Sequence, residues 1–361
     1  MGATKQTRVV VGMSGGVDSA VAALKLVTAG YDVHGLYMSN WDDADCYCTS
    51  AQDYQDARAT ARELGIVLHR VSFALEYQHQ VFERFLAEYR CGRTPNPDVL
   101  CNREIKFGIC QDYARRLGAA WFATGHYARL ARGESGPELL RGADTAKDQS
   151  YFLCGVERAQ FAQVMFPLGE MTKAEVRAQA RQAGLPVFSK PDSTGICFIG
   201  ERPFTEFLAR YLPENPGPIE TVDGQVLGAH RGLPFYTLGQ RGGLEIGGVR
   251  GGSGDPWYVA RKDSVRNVLI VVAARDRAAV ATAAARTGVV NWLLDPPGEV
   301  FAATIKVRYR QPDQAVRITR LADGSTRLRF DTPQWAVTPG QTAAFYLHER
   351  CLGGGVLEET L

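Results

Sequence analysis

A strand, a glycine turn and a helix compressed into Arg8–Leu26, RVVVGMSGGVDSAVAALKL, constrain this chain more than any other stretch. Val9, Val10 and Val11 form a β-branched run, the pattern of a strand covered on both faces. Gly12, Gly15 and Gly16 permit the tight turn that follows, since glycine adopts backbone angles closed to other residues. Asp18 and Ser19 then open an amphipathic stretch with Val21, Leu24 and Val27 on one side, which predicts a helix. Backbone N–H groups and the positive end of a helix dipole converge at such a turn, so an anionic phosphate fits it. No lysine ends the turn, which excludes the Walker P-loop, and its glycine spacing is not that of the dinucleotide turn. The plainer alternative is a glycine-rich turn that holds nothing.

The 361 residues leave room for two or three domains and a sizeable core. With 41 basic against 39 acidic residues, the net charge of +2 neither announces nor forbids a nucleic-acid partner. No run approaches 18 consecutive apolar residues, and the leading MGATKQTR has no apolar targeting core. A soluble cytoplasmic protein with no membrane partner is the expectation. Eight cysteines are too sparse for a disulfide scaffold in a chain of this length, so each needs a chemical or a packing explanation.

From residue 8 to about 130 strands and helices alternate. Strands are predicted at Val33–Met38, Ile66–Val71 and Ala120–Thr124, and helices at Ala51–Leu64, Ala74–Tyr89 and Glu104–Leu117. This is the α/β order of a parallel, doubly wound sheet, which binds ligands off the carboxyl ends of its strands. Met38, Asn40 and Trp41 then follow the second strand, and Gly125, His126 and Tyr127 the last, all near the glycine turn. Met38 either covers an adenine ring or is a plain core methionine.

Asp42, Asp43 and Asp45 flank Cys46 and Cys48 in a stretch without periodicity. Two cysteines alone do not make a zinc site, so a mobile acidic loop is the simpler reading. Residues 90–107, RCGRTPNPDVLCNREIKF, form a rigid approach to a helix. Asp98 and Cys101, three apart, would share one face of its first turn. Near Arg93 and Arg103, Cys101 would carry extra thiolate character. Alternatively, Asp98 is an N-cap and Cys101 a small buried hydrophobe. Lys147, Asp148 and Gln149 read as an exposed polar loop before an apolar helix start. Thr172 to Glu175 fits a capping box for a helix reaching Ala183, closed by Gly184 and Pro186. Cys197, bracketed by Gly195, Ile196 and Phe198, is either a transfer thiol or a packed cysteine.

Beyond Tyr211 the alternation stops at Pro213, Pro216, Gly217 and Pro218. Residues 223–254 are dominated by glycine and read as turns and short strands. Alternating runs at Val300–Tyr309, Gln314–Arg320, Thr326–Phe330 and Thr342–His348, with turns at Asp323-Gly324 and Pro339-Gly340, predict an antiparallel barrel or sandwich. Lys306, Arg308, Arg310, Arg317, Arg320, Arg327 and Arg329 face only Asp313 and Asp323 along 301–330. With Tyr309 interleaved, this stretch suits a phosphate backbone and a base, or else is a solvated barrel face.

Ser14-Gly15-Gly16-Val17-Asp18-Ser19 resembles the loop of the ATP pyrophosphatase (PP-loop) superfamily, which splits ATP into AMP and pyrophosphate. Over nearly its whole length the chain resembles the tRNA-specific 2-thiouridylase family. The motifs are GMSGGVDS at 12–19, GRTPNPDVLCNREIKF at 92–107, TGHYAR at 124–129 and KDQSYFL at 147–153. They continue with DSTGICFIGER at 192–202, YTLGQRGGL at 236–244, PWYV at 256–259 and VRYRQ at 307–311. The resemblance implies an N-terminal adenine nucleotide alpha hydrolase-like domain, a small central domain and a C-terminal antiparallel β barrel. We place these at 1–210, 211–280 and 281–361.

By the same resemblance, Gly12, Met13, Ser14, Gly15, Gly16, Val17, Asp18, Ser19, Met38 and Gly125 would hold ATP with magnesium. Asn96, Pro97 and Asp98 would surround the target base, with Asp98 a general acid/base. Lys147, Asp148, Gln149, Arg308 and Tyr309 would contact tRNA. Cys197 would carry a persulfide and Cys101 would be its partner thiol. Some relatives place a third cysteine where Asp98 stands here. The implied chemistry is adenylation of C2 of a wobble uridine, then sulfur transfer from sulfur supplied by a cysteine desulfurase or sulfur-relay protein. A small-molecule PP-loop ligase would share the ATP chemistry without needing both thiols, and an inactive RNA-binding protein would need only the barrel.

Overall fold

Val9, Val10 and Val11 are all fully buried because successive side chains leave a strand on opposite faces. Val10 packs with Leu36 and Phe122, whereas Val9 and Val11 pack with Val17, Val21 and Leu26. A computed structural model describes residues 6–41, 50–133, 135–192, 204–246 and 255–361. The first strands are β1 (Arg8–Gly12), β2 (Asp32–Ser39), β3 (Val67–Ser72) and β4 (Trp121–Ala123). A hairpin of β5 (Ala128–Gly133) and β6 (Gly136–Arg141) precedes β7 (Val164–Met165). The sheet runs β3-β2-β1-β4-β7, with every pair parallel. Strand order reverses between β1 and β4, which opens a crevice at their carboxyl ends.

Helix α1 (Val17–Thr28) covers one face and α2 (Ser50–Glu63) follows β2. The buried stripe of α1 is broader than its sequence suggested: Ala20, Ala22, Ala23 and Leu26 are buried with Val21, while Leu24 and Val27 are half-buried. Small residues let α1 lie close against the sheet and against the helix Lys173–Gln182. The helices expected at 74–89 and 104–117 run over 74–90 and 97–116. The second begins earlier because Pro97, preset for a first helical position, sits behind an Asn96 cap. Its middle, Cys101–Cys110, is bonded in the wider π pattern, i to i+5.

The central region is a mixed sheet of β8 (Gly217–Thr221), β9 (Val226–His230), β10 (Trp257–Asp263) and β11 (Val268–Ala273), with β8 parallel to β11. The rest is β12 (Thr282–Thr287), β13 (Asn291–Trp292), β14 (Val300–Lys306), β15 (Gln314–Arg320), β16 (Thr326–Gln334), β17 (Thr342–Leu347) and β18 (Arg350–Thr360). The order β12-β16-β15-β14-β17-β18 is antiparallel throughout and closes on itself through β12 and β18. This settles the barrel-or-sandwich alternative as a closed six-stranded barrel.

The barrel is seated on the α/β region by hydrogen bonds rather than by a loose linker. Leu140 of β6 pairs with Arg350 of β18. Tyr151 donates to the Thr342 carbonyl at 2.9 Å, and Asn291 to the Cys154 and Val156 carbonyls at 2.9 and 2.8 Å. Gln341 donates to the Thr94 carbonyl at 2.7 Å, which fixes the segment leading to Asn96 and Asp98. No described helix is long and apolar enough to cross a membrane.

Candidate active site

The glycine turn sits in the crevice at the strand reversal. Gly15 has φ +76°, and a Cβ there would lie 2.2 Å from the Asp53 carbonyl oxygen, so only glycine fits. Ser19 closes the turn: its hydroxyl donates to the Gly16 carbonyl at 3.0 Å and accepts the Ser14 N–H at 3.1 Å. Gly125 comes so close from the other side that a Cβ would meet the Asp18 carbonyl carbon at 2.8 Å. Met38, half-buried at the end of β2, lines the neighbouring strand end. We predict that Gly15→Ala costs more than about 2 kcal/mol, since the left-handed angle alone costs about 1–3 and the clash adds to it. Chemical denaturation measures it, and a loss below that figure would show that the turn yields.

Charged side chains ring the turn. Asp18 accepts the Tyr127 hydroxyl at 2.7 Å and the Lys173 ammonium at 2.7 and 2.8 Å. Lys190 donates to the Gly15 carbonyl at 3.0 Å and to Asp53 at 2.7 Å, and also bonds Asp56. Lys147, Lys173 and Arg177 all converge on Asp192. Sequence reasoning missed most of this ring. Lys173 read only as part of a capping box, which is present. Asp192 was visible only as the first residue of a motif.

The second component is the helix start after Asn96. Asn96 Oδ1 accepts the Asp98 N–H at 3.2 Å, so Asn96 is the cap and Asp98 is not. Asp98 and Cys101 follow within one turn, with Cys101 only 1% exposed. Burial pushes the Asp98 carboxyl above the usual range and Lys106 pulls it back. The cations expected near Cys101 are engaged elsewhere: Arg93 pairs with Glu88, and Arg103 with Glu104. The cation that acts on this region is Lys106, whose charge is felt by Asp98, Cys110 and His126.

His126 joins the two components. It follows Gly125, its Nδ1 lies 2.8 Å from Thr124 Oγ1, and its ring is 5.8 Å from that of Phe107 in the π-bonded segment. Burial, with Lys106 adding to it, holds the imidazole well below its ordinary value of 6.5. A histidine kept neutral only in the fold contributes stability above its unfolded pKa and loses it as pH falls below about 6.5. His126→Gln should therefore flatten the decline of the denaturation midpoint between about pH 6.5 and 5. The decline should persist in part, because burial also lowers His69 and His230. Superimposable curves for the two proteins would remove the assignment.

Among the expected tRNA contacts, Asp148 needs correction. It is 4% exposed, accepting the Gly142 N–H at 3.0 Å, the Ser150 N–H at 3.1 Å and the Ser150 hydroxyl at 3.0 Å. A run of polar letters looked like a surface loop, yet this carboxylate caps the following turn from inside. Gln149 is also tied down, its Oε1 accepting the Tyr127 N–H at 2.9 Å. Arg308 spends one guanidinium nitrogen on the Leu238 and Ala336 carbonyls and the Thr338 hydroxyl, clamping the central sheet to the barrel. Tyr309 does reach the 147–152 segment: its hydroxyl meets the Lys147 carbonyl at 3.4 Å and its ring lies 4.4 Å from Phe152. Arg317 and Arg329 oppose one another on the exposed outer face of β15 and β16, with no carboxylate partner among the described residues. Cys197, and the 42–48 stretch with Cys46 and Cys48, lie outside the described residues.

Comparison with known proteins agrees with this architecture. Family models match residues 7–201 (tRNA methyl transferase HUP domain), 205–273 (tRNA methyl transferase PRC-barrel domain) and 283–357 (Aminomethyltransferase beta-barrel domain). The tRNA-specific 2-thiouridylase MnmA of Sodalis glossinidius is 54% identical over 98% of this chain and 97% of its own. That of Tolumonas auensis is 53% identical, with 98% and 97% covered, and that of Nitrosomonas eutropha 52%, with 99% of each. At that identity over nearly the full length of both proteins, on a fold whose nucleotide turn, cap and barrel are all in place, the chain belongs to the tRNA-specific 2-thiouridylase family.

Proposed function

We propose that this protein thiolates C2 of the wobble uridine of tRNA in the cytoplasm, using ATP to activate the oxygen that sulfur replaces. The observation that carries the reading is that Gly125 closes on Asp18 of the glycine turn while the ring of the next residue, His126, lies 5.8 Å from that of Phe107 in the helix that Asn96 caps. A uracil oxygen is a poor leaving group and AMP a good one, so activation must precede sulfur transfer. Gly12 to Ser19 and Gly125 hold the nucleotide, with Met38 beside its base. Magnesium enters with the nucleotide, and Asp18 is the loop carboxylate that would give it an oxygen ligand.

The uridine O2 attacks the α-phosphate and pyrophosphate leaves. The outer sulfur of a Cys197 persulfide, loaded by a cysteine desulfurase or sulfur-relay protein, attacks C2 and expels AMP. Cys101 thiolate then attacks the Cys197 sulfur, the sulfur–sulfur bond to the base breaks, and 2-thiouridine leaves behind a Cys101–Cys197 disulfide for external thiols to reduce. Asn96 and Pro97 border the base and Asp98 moves its proton. The base must be unstacked, as an anticodon loop allows. Tyr309 on Phe152 offers an aromatic shelf for RNA, and the Arg317–Arg329 face offers charge for its backbone.

The test incubates the protein with ATP, a persulfide donor and an anticodon stem-loop. It should yield AMP and RNA heavier by one sulfur-for-oxygen exchange. AMP without sulfur in the RNA would point to a ligase, and RNA binding without AMP to an inactive binder.

A further inference from the structure

Three cations around one partly exposed carboxylate exceed what that carboxylate needs. Asp192 receives Lys147 on Oδ2 at 2.7 Å, and Lys173 and Arg177 on Oδ1 at 2.7 and 2.8 Å. With Asp18 included, this cluster sets three positive charges against two negative ones, and Lys190 with Asp53 and Asp56 brings the ring of the glycine turn to four of each sign, so its cations are matched by internal carboxylates.

The three cations differ in how they are held. Arg177 also donates to the Phe188 and Lys190 carbonyls, at 3.2 and 3.1 Å, so its guanidinium belongs to the segment that carries Asp192. Lys173 bridges Asp192 and the loop carboxylate Asp18, and Lys147 reaches Asp192 from the segment between β6 and β7. A flexible ammonium can turn from a carboxylate to a phosphate without rebuilding its site, which a fork-shaped guanidinium pinned to backbone cannot do. Burial pushes the Asp192 carboxyl up, and the hydrogen bonds from Lys147 and Lys173 overcome that and leave it at about 2. Asp192 is therefore a permanent anion at neutral pH.

We propose that Lys147 and Lys173 are the polyphosphate-binding cations of the nucleotide site, and that Asp192 fills them as an internal anion which ATP must displace. This rests on the ATP-dependent reading above. It moves Lys147 from the RNA surface to the nucleotide. It also leaves Asp192 a partner after displacement, because Arg177 stays with it. Lysine and arginine charges held against a carboxylate, rather than against one another, let the free protein keep its cations in place without open repulsion.

The experiment measures equilibrium binding of ATP and of inorganic tripolyphosphate to the full chain and to two variants. Asp192→Asn, which removes the competing charge and keeps the shape, should bind tripolyphosphate about 2–5-fold more tightly, the range expected for partly exposed charge pairs. Lys147→Met should bind it at least about 3-fold more weakly while holding an anticodon stem-loop as well as before. Asp192→Asn binding that is unchanged or weaker overturns the placeholder. Lys147→Met that loses RNA and keeps polyphosphate overturns the reassignment. Should Asp192→Asn fail to fold, Lys147→Met decides alone. Unaltered protein that binds neither ATP nor tripolyphosphate would instead overturn the ATP-dependent reading itself.

Discussion

Cys101→Ser should lower formation of free 2-thiouridine at least about 1,000-fold, while a single round of pyrophosphate and AMP release per protein still occurs and leaves the base bound to Cys197. The two chemical halves separate because activation uses the glycine turn and sulfur release uses the helical turn after Asn96. Serine matches the shape of the buried cysteine, so the helix should form. The cost is about 1–3 kcal/mol for a buried hydroxyl without a good partner. A hydroxyl keeps its proton at neutral pH and forms no bond to the Cys197 sulfur that a thiol could later reduce. Cys197→Ser should also stop thiolation, but with pyrophosphate released and AMP left on the uridine oxygen, because no persulfide is there to expel it. Mass spectrometry of the RNA and a count of pyrophosphate read the two halves independently. Normally thiolated RNA from either variant would remove the two-thiol mechanism.

The other large effect belongs to Asp18. Its carboxylate is the point at which the glycine turn, Tyr127 and Lys173 are tied together. Asp18→Ala leaves Lys173 its bond to Asp192, so the fold should lose little. On the proposed function, however, the nucleotide site loses the one carboxylate of the loop, which ties Lys173 to the turn and would give magnesium an oxygen ligand. We expect release of pyrophosphate from ATP to fall about 100- to 1,000-fold, the scale seen when one preorganised electrostatic group is removed. Thiolation should fall with it. Pyrophosphate release at the normal rate, in a variant with an unchanged denaturation midpoint, would detach the loop from the chemistry.

The two variants also probe residues of unequal legibility. The turn around Gly15 was readable because its constraints are local: a valine run, glycines where side chains would clash, then a helix start. Asp98 and Cys101 were visible as a spacing, but which residue capped the helix was not. Asn96 and Asp98 are both good caps, and the choice went to the one preceding proline. Cations near the site were misjudged for a related reason. Arg93 and Arg103 are close in sequence, yet carboxylates at hand took them, while Lys106 came round through the wider π turn. The last strand was hidden altogether. Cys351-Leu352-Gly353-Gly354-Gly355 shows no alternation and lies beyond the predicted runs, yet it is in β18, where a Cβ at Gly353 would sit 2.0 Å from the Asn291 carbonyl oxygen and one at Gly354 would sit 2.4 Å from the Cys154 sulfur. Those glycines are there for close packing between strands and domains, not for turning.

By itself the chain determined its strand–turn–helix opening, the alternation that builds a parallel sheet, the alternating strands of the barrel and the two thiols to which the proposed chemistry is assigned. Each is a pattern written over a few neighbouring residues, where backbone geometry and side-chain periodicity act directly. Only the tertiary structure decided that the barrel closes, that Asp148 is buried, and that Lys173 and Lys190 reach Asp18 and Gly15 across 155 and 175 positions of sequence. Charge and packing act through distance in space, and folding brings those partners within a hydrogen bond of each other without leaving any periodic trace along the chain.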